Sequence, residues 1–136
     1  MKEELRGPEV KGVSVAVVHE QSEDGAMVYN VYFINEREDI LEQVLVSSKG
    51  YSIDEKTGEK TQTNMLRRLL GLILPKEYVK IEPIMEDVFG LTNEFLVSYW
   101  INDILYDKKF IFLPETIKKE NFTIIPLIDK PGVLIG

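Results

Sequence analysis

The stretch FLVSYWINDILYDKKFIFL, Phe95 to Leu113, consists of two runs of aromatic and β-branched residues separated by Asn102-Asp103. Such side chains fill a pleated, half-buried surface, and adjacent Asn and Asp accept the positive φ that a two-residue turn between antiparallel strands requires. Six of the chain's thirteen Phe, Tyr and Trp residues lie inside the stretch, so its burial dominates whatever core forms. A two-residue turn also sets the register: Trp100 opposite Leu105, Tyr99 opposite Tyr106, and Ser98 opposite Asp107. A chain that carries this hairpin is committed to a sheet.

The rest of the sequence repeats the same grammar. Val13, Val15 and Val17 alternate with Ser14, Ala16 and Val18, and after Asp24-Gly25 the run Met27 to Ile34 (MVYNVYFI) supplies an antiparallel partner. Asn35 to Asp39 is too polar to bury, Leu41 to Ser47 alternates again, and Asp54 to Lys60 is a charged loop with Gly58 at its apex. Tyr78 to Ile81, Phe122 to Ile128 and Val133 to Ile135 read as further short strands, and Pro126 places its run at a sheet edge. Turn signals every 8 to 12 residues, with no long amphipathic helix between strands, exclude parallel βαβ units. The expectation is all-β: a two-sheet antiparallel sandwich, immunoglobulin-like in broad architecture, over residues 12–136, preceded by a flexible N-terminal arm over 1–11.

One segment admits two periodicities. In Met65 to Leu74, Met65, Leu66, Leu69, Leu70 and Ile73 share a helical face between a Thr63 or Asn64 cap and Pro75, whereas Leu66, Leu70, Leu72 and Leu74 align on a strand. The leucine-rich composition favours one short helix near 65–74; Gly71 and the neighbouring strands favour the alternative. Just beyond it, Ile73 to Val79 (ILPKEYV) is similar to the Leu, Pro and Tyr placed around the E–F corner of immunoglobulin-like sandwiches. That resemblance implies a Tyr hydroxyl bonded to nearby backbone.

Composition removes whole classes of chemistry. With no cysteine among 136 residues there is no disulfide framework, no thiolate-ligated metal and no thiol nucleophile. A net charge of -7 disfavours nucleic-acid binding, and the absence of any apolar run near ~18 residues disfavours a membrane span. The chain reads as soluble and cytoplasmic. Phosphate-cradling glycine motifs and the Gly-x-Ser-x-Gly elbow are absent, so no cofactor and no catalytic residue is nominated.

His19 is the single histidine, and any imidazole-based step depends on it. It stands at a strand end beside Glu20, where an imidazole is ordinarily just solvated. Glu20, Glu23 and Asp24 in the first loop and Asp54, Glu55 and Glu59 in the third fall at one end of an up-and-down sheet, a weak calcium candidate, since calcium takes six to eight oxygens from flexible loops. Lys56 and Lys60 dilute that cluster. The aromatic hairpin supplies the remaining candidate, an interaction surface at Tyr99, Trp100, Tyr106, Asp107 and Lys108, because Trp and Tyr bury much area at small entropic cost. Core packing competes for the same aromatics.

The functional expectation is therefore a non-enzymatic binding or protein-interaction module for a protein or peptide, with a homodimer through an edge strand as a further form of partnership. The alternative is a small-ligand-binding or hydrolytic enzyme using His19 and loop carboxylates. A cleft in which His19 and a carboxylate converge distinguishes the two.

Overall fold

Asn102 and Asp103 take φ of +48° and +65°, the pair of left-handed residues that lets a two-residue turn follow the right-handed twist of its strands. The computed structural model describes residues 8–136 and contains ten strands: β1 (Val13–Gln21), β2 (Met27–Asn35), β3 (Leu41–Ile53), β4 (Lys60–Gln62), β5 (Leu66–Ile73), β6 (Glu77–Ile84), β7 (Thr92–Ile101), β8 (Ile104–Phe112), β9 (Thr123–Ile124) and β10 (Pro131–Ile135). β7 and β8 pair in the register read from the sequence, Trp100 with Leu105, Tyr99 with Tyr106 and Ser98 with Asp107. Among the described residues helical structure is confined to single 3-10 turns at Glu86–Val88 and Lys119–Asn121. Among the described residues no helix is long and apolar enough to cross a membrane.

Two antiparallel sheets pack face to face. One has the order β6-β2-β1-β10-β9; the other runs β4-β3-β7-β8, with β5 also on β3. Because β3 pairs with β4 through Tyr51 to Ile53 and with β5 through Leu41 to Ser48, β4 and β5 lie end to end along one edge of a long hairpin. β1, β2 and β6 are neighbours, as are β3, β7 and β8, which is the placement of strands A, B, E and C, F, G in an immunoglobulin sandwich. The fourth strand differs: β5 stays with β3 instead of joining β6.

The segment favoured as a helix is thus β5. Its main-chain groups pair with β3 from Leu41–Ile73 to Ser48–Leu66, and Gly71, at φ +77°, supplies the left-handed residue at the register shift beside Val44. Pairing with a long, already ordered β3 outweighs the modest intrinsic helix preference of leucine. The ILPKEYV comparison is corrected too. Leu74 to Lys76 carries the chain from β5 in one sheet to β6 in the other, and the exposed Tyr78 packs its ring edge-on against Tyr32 at 5.8 Å. That places it at the start of the E-like strand, not at the E–F corner.

The main core lies between the sheets, where Val15, Val17, Val31 and Phe33 meet Val44, Val46, Phe95, Val97, Tyr99, Phe110 and Phe112. Each fully buried Phe or Val contributes roughly 1.5–3 kcal/mol. Parity along β7 follows: Phe95, Val97, Tyr99 and Ile101 are buried while Leu96 and Trp100 are exposed. β1 is apolar on both faces because a second cluster of Ala16, Val18, Ile34, Ile125 and Ile128 seals the outward face of its sheet. Residues 122–130 form that seal. Only Thr123 and Ile124 of the expected 122–128 strand pair with β10; beyond Pro126 the chain turns, with Ile125 N–H on the Lys130 carbonyl at 2.9 Å and Asp129 N–H on the Ile125 carbonyl at 2.8 Å. The proline does mark an edge, since β9 is the last strand of its sheet.

Residues 1–7 of the expected N-terminal arm lie outside the described residues. Val10 packs against the main core, and the Lys11 carbonyl accepts a hydrogen bond from Arg37 Nη1 at 2.8 Å.

Candidate interaction surface

The two sheets treat their outward faces differently. The β1-containing sheet is covered by residues 122–130, whereas the outward face of β5-β3-β7-β8 has no such cover among the described residues. Register pairs build the part of that face from Glu42 to Lys49 in four rows, beyond which Gln62–Tyr51–Thr92 continues it. The first is Glu42–Trp100–Leu105 and the second Leu69–Leu45–Ser98–Asp107; then come Arg67–Ser47–Leu96–Lys109 and Lys49–Glu94–Ile111. Side chains paired across antiparallel strands share a face, so each row is a line of neighbours about 4.8 Å apart. Leu69 is 73% exposed and Trp100 37%, and Leu96, Leu105 and Ile111 are exposed with them. A contiguous apolar strip this accessible is what a docking surface requires, in contrast to isolated exposed leucines.

The structure divides the five hairpin residues nominated from sequence. Trp100 and Asp107 stand on the open face. Tyr99 points into the core at 1% exposure, its ring 6.5 Å from Phe33 and 5.4 Å from Tyr106. Its hydroxyl finds no hydrogen-bond partner, and burial pushes it up to about 12. Tyr106 and Lys108 share this inward parity and are half-buried, with Lys108 Nζ 5.1 Å above the Phe110 ring. The face is completed instead by Leu45, Leu69, Leu96, Leu105 and Ile111. Period-2 alternation marks each of these as opposite in parity to a core residue, but only the pairing of β5 with β3 and of β3 with β7 aligns them.

The acidic candidates do not gather. Among the described residues no three His, Cys, Asp or Glu side chains form a group able to hold a metal ion. Asp24 is engaged by its own turn, accepting from the Ser22 hydroxyl and from Ala26 N–H at 3.1 Å, and those bonds hold its carboxyl below the usual range. Asp54 caps the next loop, accepting from Lys56 N–H at 2.8 Å. Glu55 and Glu59 are exposed.

Glu20 is committed elsewhere. It points to the covered face of its sheet, where its carboxylate accepts from Asn30 Nδ2 at 2.8 Å, Tyr32 Oη at 2.6 Å and Lys130 Nζ at 2.8 Å. Burial raises its pKa, but the three bonds and the Lys130 charge outweigh that and hold it below the ordinary value. Burial and the bond to Glu20 push Tyr32 far up in turn. The network ties residues 122–130 to β1 and β2.

His19 joins an aromatic stack. Its ring lies 4.4 Å from Tyr29 and 5.6 Å from Phe122. A cleft of about 440 Å³ opens elsewhere, between β3 and β7 of one sheet and the end of β6 in the other, with Ser48, Glu82, Asp87 and Asn93 in its walls and no contribution from His19. Ser48 Oγ donates to Glu82 across it at 2.6 Å, and Asn93 Nδ2 donates to the Val88 and Leu91 carbonyls at 3.0 and 3.2 Å. The Ser48–Glu82 bond joins β3 of one sheet to β6 of the other, while the Asn93 bonds are local to the segment that enters β7. No protein-family model matches the chain, and no curated protein matches it.

Proposed function

We propose that the chain is a non-enzymatic protein-interaction module whose partner docks on the outward face of β5-β3-β7-β8. The observation that carries this reading is the asymmetry between the sheets. One outward face has an apolar cover contributed by the chain itself, while the other exposes Trp100, Leu105, Leu69, Leu96 and Ile111 in adjoining rows. Trp100, in the first row between Glu42 and Leu105, is an aromatic anchor on an apolar strip bordered by Glu42, Asp107, Arg67 and Lys109. Its neighbours are strand residues, so the surface is held rigid before binding, which lowers the ordering cost.

The test compares immobilised wild-type chain with Trp100→Glu and Leu105→Glu, and with Ile124→Glu on the other sheet as a control. A protein retained by wild type and the control and lost by both face variants is the expected result. Retention indifferent to the face variants overturns the reading. So does turnover of a substrate that vanishes in His19→Ala while the fold persists.

A further inference from the structure

The open face carries a charge polarity across its rows. Glu42 and Asp107 lie in the first two rows with no cation among them, Arg67 and Lys109 lie in the third with no anion, and in the fourth Lys49 stands 3.8 Å from Glu94. The protein as a whole carries -7, so this cationic row is a local reversal on an acidic molecule. A face with one anionic half and one cationic half is complementary to itself when turned end for end.

From this polarity we infer that the face pairs with a second copy of the same chain about a two-fold axis that lies in the interface, runs across the strands and passes between the second and third rows. The inference rests on the docking face proposed above and names its occupant. Such an axis keeps each strand over its own copy while reversing the rows, so every contact occurs twice. Asp107 then lies over Lys109 and Glu42 over Lys49, both opposite in sign. Leu105 lies over Ile111, and Trp100 lies over Glu94, where the indole N–H is a donor to a carboxylate. Leu69 lies over the stem of Arg67. No row sets like charges against each other. By contrast, a two-fold axis along the strands keeps the rows in place but exchanges β5 with β8, and so sets Arg67 over Lys109, which repel.

Size sets the strength. Four strands at about 4.8 Å each and the eight residues from Glu42 to Lys49 at about 3.4 Å each outline a patch of roughly 19 by 27 Å, about 510 Å² per copy in projection. Standard stable interfaces bury about 800 Å² per partner, so this one belongs to the weak, concentration-dependent class. Its ion pairs lie at the surface, so salt weakens it.

Sedimentation velocity of the full chain, from micromolar to millimolar at low and high salt, tests the pairing. The dimer fraction is expected to rise with concentration and fall with salt. Lys109→Asp sets two carboxylates together and weakens association at least tenfold, and Asp107→Lys combined with Lys109→Asp restores it, because the polarity is swapped but still self-complementary. Both positions are exposed, and circular dichroism is the check that the variants fold. A monomer throughout the range overturns the self-pairing, as does a dimer indifferent to Lys109→Asp or not recovered by the double swap. A monomer that still captures another protein through Trp100 overturns the self-pairing alone. A chain that neither self-associates nor loses a partner in Trp100→Glu overturns the docking face as well.

Discussion

Replacing Lys130 with Met keeps the aliphatic stem and removes the ammonium that holds Glu20 at 2.8 Å. At that separation, with an effective dielectric near 20, the gross attraction is about 6 kcal/mol. Most of it is offset, because Glu20 gives up hydration (side chain 7% exposed) while Lys130 keeps much of its own (50% exposed) and is screened by solvent. A hydrogen bond to a charged group is worth about 1.5–3 kcal/mol net, and the half-exposed partner argues for the lower end, about 1.5 kcal/mol. For 136 residues that corresponds to a fall in Tm of about 5 °C.

The dependence on pH gives the sharper test. Glu20's pKa in the folded chain is below its ordinary 4.5, so the stability it contributes is present above that value and disappears as pH falls through the lowered one. In the variant, burial acts with the strongest opposing bond gone, and only Asn30 and Tyr32 still favour the ionised form. The gap between wild type and Lys130→Met is therefore widest near neutrality and closes in acid. Urea unfolding of both proteins near neutrality and near pH 3 measures it. A gap as large in acid as at neutrality refutes the assignment, as does none at neutrality.

Three further outcomes follow from the packing. Tyr99→Phe removes a buried hydroxyl that has no partner, so stability should be unchanged or rise by up to about 1 kcal/mol, and spectrophotometric titration should lose the tyrosine pushed up to about 12. Phe110→Ala should cost about 3–5 kcal/mol, whereas Leu105→Ala earlier on the same strand should stay within about 1 kcal/mol, because the first side chain is in the core and the second on the open face; comparable losses in chemical denaturation would contradict the assigned parity. Gly132→Ala should be among the most damaging single changes, since a Cβ there runs into the Val17 carbonyl across the β1–β10 pair, and its soluble yield and melting curve are the readout.

How far the sequence speaks for the structure varies along the chain. The hairpin at Asn102-Asp103 was fully legible, down to its register, because turn geometry and both strands are local. The strands of β1 and β2 were legible for the same reason. β5 was not: Leu66 to Ile73 fits two periods equally well, and the choice was made by β3, twenty-odd residues earlier in the chain, offering an unpaired edge. The 122–128 run misled in the other direction. Its apolar residues are those of a strand, but Ile125 and Ile128 cover a neighbouring sheet from a turn. Glu20 read as a loop carboxylate and calcium candidate, whereas Lys130, 110 residues away, closes on it.

By itself, then, the sequence determined that this chain is built of short antiparallel strands in two layers, without thiol chemistry or a clustered set of imidazoles. Side-chain alternation and turn residues act over a few positions, and those are what set strands and layers. Which outward face is sealed and which is open was decided only in three dimensions, because it depends on where the last fifteen residues fold back. The same holds for the open face itself: Trp100, Leu69 and Ile111 come from separate strands, and only the pairing of those strands through β3 makes them one surface with opposite charge in its two halves.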